Sequence, residues 1–161
     1  METVQAQRGL VLLRIGLGIW FLRSVWANAA WEPWPRAAAG FKFWLADQMI
    51  QAAAGHPVYL VKRALDLTVV PYPGVFSAAV LLAHLIVGVS LALGLLTVLG
   101  ALLALAMSLA FALVTFPLGQ AVLGYHLLTA LCALVFMMGR AGRSWGLDAG
   151  LARLMPRGRL W

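Results

Sequence analysis

Few residues of this chain are able to do chemistry in an apolar environment. The two most relevant are histidines. Residues 67–139 contain no Asp, Glu, Lys or Arg, yet they include His84, Tyr125 and His126. A neutral imidazole hydrogen-bonds a quinone carbonyl, or ligates the iron of haem or the magnesium of a chlorophyll-type pigment. A histidine that only bonds a neighbouring helix is the structural alternative. These three residues form the candidate cofactor-binding site, although the sequence requires no particular cofactor.

The two histidines have different expected roles. His84 shares a helix face with Gly88 and Ala92, so we expect it to face other helices and to hydrogen-bond one of them. His126 lies nearer the end of a helix, which makes it the better candidate for contact with an external ligand. The third histidine, His56, lies between a glycine and a proline, and we expect it to be a solvated loop residue.

No sequence pattern of a soluble enzyme accompanies these residues. There is no paired-carboxylate site, no Gly-rich nucleotide loop and no CxxCH haem-attachment motif. The single cysteine, Cys132, lies in an apolar stretch, so the chain alone has no dithiol for redox exchange. We therefore expect no catalytic activity of its own.

The elements that must position the candidate site are membrane-spanning helices. The chain has 161 residues, of which 63% are hydrophobic and 11% charged, and its mean hydropathy is +0.92. About 20 apolar residues in a helix cross a hydrocarbon core of about 30 Å. Prolines and glycines divide the uncharged stretch into helices at about 75–95, 99–116 and 120–138, and an earlier apolar segment adds 9–27. The predicted fold is an all-α integral membrane protein, an antiparallel four-helix transmembrane bundle in a single domain, 1–161.

Residues 28–72 form the least regular part of the chain and are predicted to lie at the membrane surface. They are rich in tryptophan, which favours the headgroup zone, and their apolar spacing predicts short interfacial helices between the first two spans. The side chains expected to contact lipid headgroups or neighbouring subunits are Arg14, Arg23, Trp31, Trp34, Trp44, Arg140 and Arg143. Arg14 and Arg23 lie near opposite ends of the first helix, where a long side chain reaches the interface. They also interrupt its apolar region, so we expect this segment to be retained rather than cleaved as a signal peptide.

The net charge of +7 predicts membrane orientation rather than nucleic-acid binding. Five of the twelve basic residues follow Gly139, and basic residues beside a membrane helix favour the cytoplasmic side. We therefore expect both termini, including a basic tail at 139–161, to be cytoplasmic in a bacterial cytoplasmic membrane. A short surface helix is expected to begin at Asp148.

Three stretches together resemble a known family. They are 12–18 (LLRIGLG), 87–97 (VGVSLALGLLT) and 139–148 (GRAGRSWGLD). They are similar to the DoxX family of small bacterial membrane proteins, in the branch of DoxD, the small subunit of thiosulfate:quinone oxidoreductase. The chain departs from the family pattern at His84, where the family usually has Glu, and at Val98, where a basic residue is common. The resemblance implies a small membrane subunit that serves redox metabolism at the level of quinones.

Two functions follow as expectations. The first is a non-catalytic membrane subunit that docks onto, or anchors, a larger redox or energy-transducing complex and contacts membrane lipids. The alternative is the quinone-reactive small subunit of a DoxD-like thiosulfate:quinone oxidoreductase. A small transporter is disfavoured, because no ionisable residues mark a path across the midplane.

Overall fold

The computed structural model describes residues 2–31, 35–139, 141–143 and 145–154, without the side chains of 2–6 and 143. Within these residues the chain forms seven α-helices and one pair of very short strands. The elements are α1 (Glu2–Asn28), β1 (Ala29–Ala30), β2 (Arg36–Ala37), α2 (Ala39–Gly55), α3 (Tyr59–Thr68), α4 (Pro73–Leu93), α5 (Thr97–Thr115), α6 (Gln120–Met138) and α7 (Leu147–Leu154). Single 3₁₀ turns lie at Phe116–Leu118 and Ala141–Arg143.

Four of these helices are long and apolar enough to cross a membrane. The candidate spans are Gln7–Asn28, Pro73–Leu93, Thr97–Leu118 and Gln120–Met138. Each overlaps one predicted span, and no bound differs by more than two residues. The prediction of an all-α multi-pass membrane protein is therefore confirmed.

The long helices pack most closely in two pairs, α1 with α4 and α5 with α6, which are joined by contacts between α4 and α5. Small residues allow the first pair to approach. Gly18 of α1 lies against Ala92 of α4, and Gly88 of α4 lies against Leu22 of α1. A methyl group on either glycine would collide with the facing helix, which is the usual reason for glycine at a helix interface in lipid.

Small residues recur at every fourth position of α5 and form a ridge that faces other parts of the protein along its whole length. Its four members are all buried: Gly100, Ala104, Ser108 and Ala112. Because none of them carries a bulky side chain, the backbones of neighbouring helices approach α5 closely.

The segment between the first two spans contains the two short helices expected there, α2 and α3. α2 buries Phe41, Leu45 and Met49 in a cluster with residues of α3 and α4. The sequence did not predict the antiparallel pairing of β1 with β2, in which Ala29 faces Ala37. This pairing closes the connection that leads from α1 into α2.

Arg14 is completely buried, with 0% of its surface exposed. Its Nη1 donates to the carbonyl oxygen of Ala141 at 2.9 Å, and its Nη2 donates to the carbonyl oxygen of Trp145 at 3.2 Å. The expectation that Arg14 contacts lipid headgroups is therefore wrong. The segment after α6 folds back over α1 and supplies carbonyl acceptors in place of water or phosphate.

Asp148 is also buried, with 1% of its surface exposed, and it caps the beginning of α5. Its two carboxylate oxygens accept from the backbone N–H groups of Leu96 at 2.6 Å and Thr97 at 2.9 Å. These N–H groups have no acceptor within their own helix, and a negative charge complements the positive end of the helix dipole. Leu96 has a φ of 49°, a left-handed conformation that is uncommon for leucine. The carboxylate therefore holds a turn that leucine alone disfavours.

Two glycines let the chain fold back at this end. A Cβ atom on Gly142 would overlap the Asp148 carboxylate and the Thr97 hydroxyl. A Cβ atom on Gly146 would overlap the carbonyl oxygen of Gly142 and the Arg14 guanidinium. We call Arg14, Gly142, Gly146 and Asp148 the C-terminal clasp. It lies in the 12–18 and 139–148 stretches of the sequence, and it gives these four of their residues a physical role.

Replacing Asp148 with alanine tests the clasp. Asp148→Ala removes the acceptor of two N–H groups at the start of α5, so the free energy of unfolding should fall by about 2–3 kcal/mol. Unfolding of the purified protein by SDS titration from mild detergent measures this loss. Asp66→Ala is the control, because Asp66 is exposed on α3 and its replacement should change stability little. Equal stability of the two variants would contradict the capping role.

Candidate ligand-binding site

A cavity of about 610 Å³ lies between α1, α2, α4, α5 and α6. Small-molecule sites in proteins are typically about 300–1,000 Å³, with apolar walls and a few polar groups. The walls here follow that pattern, with Phe21, Val80 and Met107 among their apolar members. His84, Tyr125 and His126 all line this one cavity, so the structure brings the three candidate residues together.

His84 is held by a hydrogen bond to another helix, as its sequence position predicted. The packing of Gly88 on α1 turns the face of α4 that carries His84 toward α1 as well. Nδ1 of His84 lies 3.2 Å from the hydroxyl oxygen of Ser24 on α1. The side-chain amide of Asn28 donates to that same oxygen at 3.4 Å.

This arrangement determines which ring nitrogen of His84 is available to a ligand. Nδ1 is occupied by the Ser24 hydroxyl, which Asn28 holds in place from the other side. Among the described residues Nε2 has no hydrogen-bond partner, so it is the ring nitrogen available to a molecule in the cavity. In the tautomer with the proton on Nε2, with the Ser24 hydroxyl donating to Nδ1, it is a hydrogen-bond donor.

His126 is half-buried and is positioned by aromatic contacts alone. Its ring stacks on Phe111 of α5, with centroids 5.4 Å apart and planes 14° from parallel. Tyr125 meets the same ring edge-on at 5.1 Å. Neither ring nitrogen of His126 bonds to any residue that the structure describes. Both nitrogens therefore remain free to bond a ligand, as expected for the better of the two ligand candidates.

Tyr125 connects the cavity wall of α6 to that of α1. Its hydroxyl oxygen accepts from the indole Nε1 of Trp20 at 3.1 Å. Because the oxygen accepts this bond, the phenolic hydrogen remains free to donate. Tyr125 thus presents a third donor at the edge of the cavity.

The cavity has little formal charge. Among the described residues that line it, Arg23 is the one with a permanent charge and no carboxylate is present. Arg23 is exposed, whereas the hydroxyls of Ser108, Thr115 and Thr129 belong to buried residues. Elsewhere in the described part of the chain, no three His, Cys, Asp or Glu side chains are placed to hold a metal ion. The arrangement suits an uncharged ligand that carries hydrogen-bond acceptors.

The tryptophans and arginines expected at lipid or subunit contacts differ in their exposure and in whether they line the cavity. Trp44 is largely exposed and also lines the cavity, and Arg23 lies at its edge. Trp31 is exposed, and its indole N–H donates to the backbone oxygen of Trp26 at 3.3 Å. Trp34 and Arg140 lie outside the described residues, and the side chain of Arg143 is not described.

His56 is not a solvated loop residue, contrary to the expectation from sequence. It is 8% exposed, and its Nε2 donates to the carbonyl oxygen of Leu113 on α5 at 2.9 Å. Its Nδ1 accepts from the backbone N–H of Val58 at 3.1 Å. The connection between α2 and α3 packs against the end of α5, so this ring replaces water as the partner of both backbone groups.

The sequence interpretation missed the contribution of α1 to the cavity. Trp20, Ser24 and Asn28 recur at four-residue spacing and so share one face of α1, and all three line the cavity. That spacing, in an otherwise apolar helix, was the available signal. Phe111, which supports His126, gave no such signal because an aromatic residue is common in any apolar helix.

Comparison with known proteins finds no family model that matches the chain, and no curated protein or solved structure with significant similarity to it. The resemblance to the DoxX family therefore stays a prediction from three short stretches of sequence.

The different settings of the two histidines predict different effects on stability. His84→Leu leaves the Ser24 hydroxyl without its ring-nitrogen partner and should lower the free energy of unfolding by about 1–2 kcal/mol. His126→Leu removes no hydrogen bond among the described residues and should change this free energy by less than about 0.5 kcal/mol. SDS titration of the two purified variants measures both values. A greater loss in His126→Leu than in His84→Leu would reverse this assignment.

Proposed function

We propose that the chain is a non-catalytic membrane subunit that binds a quinone-type headgroup in its cavity and holds it for a larger redox complex. One observation carries this proposal: a single, mostly apolar cavity contains His126, whose ring nitrogens have no partner among the described residues. The sequence alone favoured docking as the function, and the cavity adds ligand binding to it.

The chemistry of a quinone ring matches the groups in the cavity. The ring is flat and apolar, and its carbonyl oxygens only accept hydrogen bonds. Phe111 and Met107 offer apolar surface, while His126, the Nε2–H tautomer of His84 and the Tyr125 hydroxyl offer donors. A quinone accepts electrons and protons, and donors aimed at its oxygens stabilise the negative charge that develops on reduction. The residues of this chain bind and orient the ring, and a partner subunit supplies the electrons.

Haem or a chlorophyll-type pigment is the second candidate ligand. A macrocyclic metal takes a neutral imidazole as its axial ligand, and His126 has a free nitrogen for that bond. The two ligand classes differ in their absorption spectra, so one measurement on protein from native membranes distinguishes them.

We also propose an antiparallel four-helix arrangement in a bacterial cytoplasmic membrane, with both termini cytoplasmic. The register of α1 and α4 supports it, since residues 18 and 22 of α1 meet residues 92 and 88 of α4 in reverse order. The basic residues after Gly139 support the orientation. In this arrangement α2, α3 and the cavity lie toward the non-cytoplasmic side.

The proposed docking surface lies on that same side. Trp26, Trp31, Phe43 and Trp44 are largely exposed, and the rings of Trp26 and Trp31 lie 5.2 Å apart. Tryptophan is enriched both at membrane interfaces and at the centres of protein interfaces. We propose that part of this aromatic surface contacts another subunit of the redox complex.

Quinone titration tests the proposed ligand. A short-chain ubiquinone analogue added to the protein in lipid nanodiscs should quench tryptophan fluorescence to saturation, because Trp20 and Trp44 line the cavity. His126→Leu should raise the Kd for the quinone about tenfold, because the loss of one hydrogen bond of about 1.4 kcal/mol corresponds to that factor. His126→Gln keeps an N–H donor and should retain most of the affinity. Absence of saturable quenching would refute quinone binding, and a haem or chlorophyll absorption band in native protein would favour the macrocycle.

Cysteine accessibility tests orientation and docking together in a Cys132→Ser background. In intact cells, a membrane-impermeant maleimide should label Arg36→Cys but not Arg153→Cys. Trp26→Cys should react slowly in native membranes and rapidly in the purified chain, since a docked subunit covers it. Equal labelling of positions 36 and 153 would refute the orientation, and equal rates at position 26 in the two preparations would refute docking there.

A further inference from the structure

The walls of the cavity differ in how far they are exposed to the outside of the protein. The residues that α2, α4 and α5 contribute are mostly buried or half-buried. Several from α1 and α6 are exposed, including Trp20 and Ala27 on α1 and Ala121 and Tyr125 on α6. The cavity therefore opens between α1 and α6.

The packing of the helices agrees with an opening at this place. α1 packs along α4, and α6 packs along α5, but α1 and α6 meet at only a few positions. Among the described residues, one side-chain hydrogen bond joins these two helices, that from Nε1 of Trp20 to the hydroxyl oxygen of Tyr125 at 3.1 Å. Trp20 is 52% exposed and Tyr125 is 42% exposed, so the pair lies across the mouth of the cavity rather than inside it.

The mouth lies between the ends of the candidate membrane spans. Trp20 lies eight residues before the end of its span at Asn28, or about 12 Å along the helix at about 1.5 Å per residue. Tyr125 lies about 7–8 Å inside the span that begins at Gln120. Ile19 and Leu128, which flank the pair, are exposed apolar residues typical of a lipid-facing surface.

We infer that the cavity takes its ligand from the hydrocarbon of the membrane, through the gap between α1 and α6, and that the Trp20–Tyr125 hydrogen bond is the latch of this gap. The ligand class is an uncharged molecule dissolved in the lipid, because a charged one would not reach this mouth at low cost. Its identification as a quinone rests on the proposed function, whereas the position of the mouth and the latch does not.

Opening the gap breaks one hydrogen bond and moves two large aromatic side chains. Removing the hydrogen bond alone should raise the fraction of molecules in which the gap is open about fivefold, because that is the ordinary effect of one neutral hydrogen bond. The ligand passes the same mouth in both directions, so the rates of entry and exit should rise together.

Labelling of a cysteine inside the cavity tests the latch without any assumption about the ligand. Ser108 is buried on α5 and lines the cavity, so Ser108→Cys in a Cys132→Ser background reports entry. N-phenylmaleimide dissolved in the nanodisc lipid should label this thiol about fivefold faster when Trp20→Phe is added. Trp26→Phe is the matched control, because Trp26 lies on α1 but does not line the cavity, and it should not change the rate. An unchanged rate in Trp20→Phe would overturn the inference.

Stopped-flow quenching by the short-chain ubiquinone analogue is the second measurement. Trp20→Phe should raise the association and dissociation rate constants about fivefold each, with the fluorescence of Trp44 still reporting binding. Normal quinone binding with unchanged rates would overturn the latch and leave the proposed function standing. Faster labelling of Ser108→Cys with no quinone binding at all would support the latch and refute the quinone.

Discussion

The guanidinium of Arg14 lies in an apolar helix, so its hydrogen-bond acceptors have to come from the protein itself. One end of the structure depends on this requirement. Arg14 is fully enclosed. Two backbone carbonyl oxygens from the segment after α6 accept hydrogen bonds from its Nη1 and Nη2, while Nε has no partner among the described residues. That segment reaches Arg14 only because Gly142 and Gly146 leave room for it. The same segment places Asp148 at the start of α5, where its carboxylate caps that helix. One buried charge thus connects α1, the turn before α5 and the end of the described chain.

The cavity lies in the other part of the structure and is enclosed by larger side chains. Near the C-terminal clasp, Gly18 and Ala92 let α1 and α4 touch, and the small residues of α5 do the same for its neighbours. Phe21, Phe111 and Tyr125 line the cavity on α1, α5 and α6. α2 packs against α4 and adds a further wall to it.

The cavity combines apolar walls with donors that differ in how firmly they are held. His84 is fixed through Ser24 and Asn28, so its direction is set before any ligand arrives. Among the described residues, His126 is supported by ring contacts with Phe111 and Tyr125, which restrain its plane and leave its nitrogens without a partner. A neutral imidazole costs less to bury than a carboxylate would at the position of His84. Such a site is better suited to holding an uncharged ring than to carrying ions.

The sequence by itself determined the membrane-spanning helices, the buried ridge on α5 and the inward direction of His84. These depend on the absence of charge and on helical periodicity, which are local properties of the chain. The tertiary structure decided the partners of Arg14, which lie 127 and 131 residues away, and the burial of His56 against Leu113. It also decided that His84, Tyr125 and His126 share one cavity with Trp20 and Ser24. Periodicity gives the face on which a residue lies but not the angle or the distance between helices, and those two quantities create both the enclosed charge and the cavity.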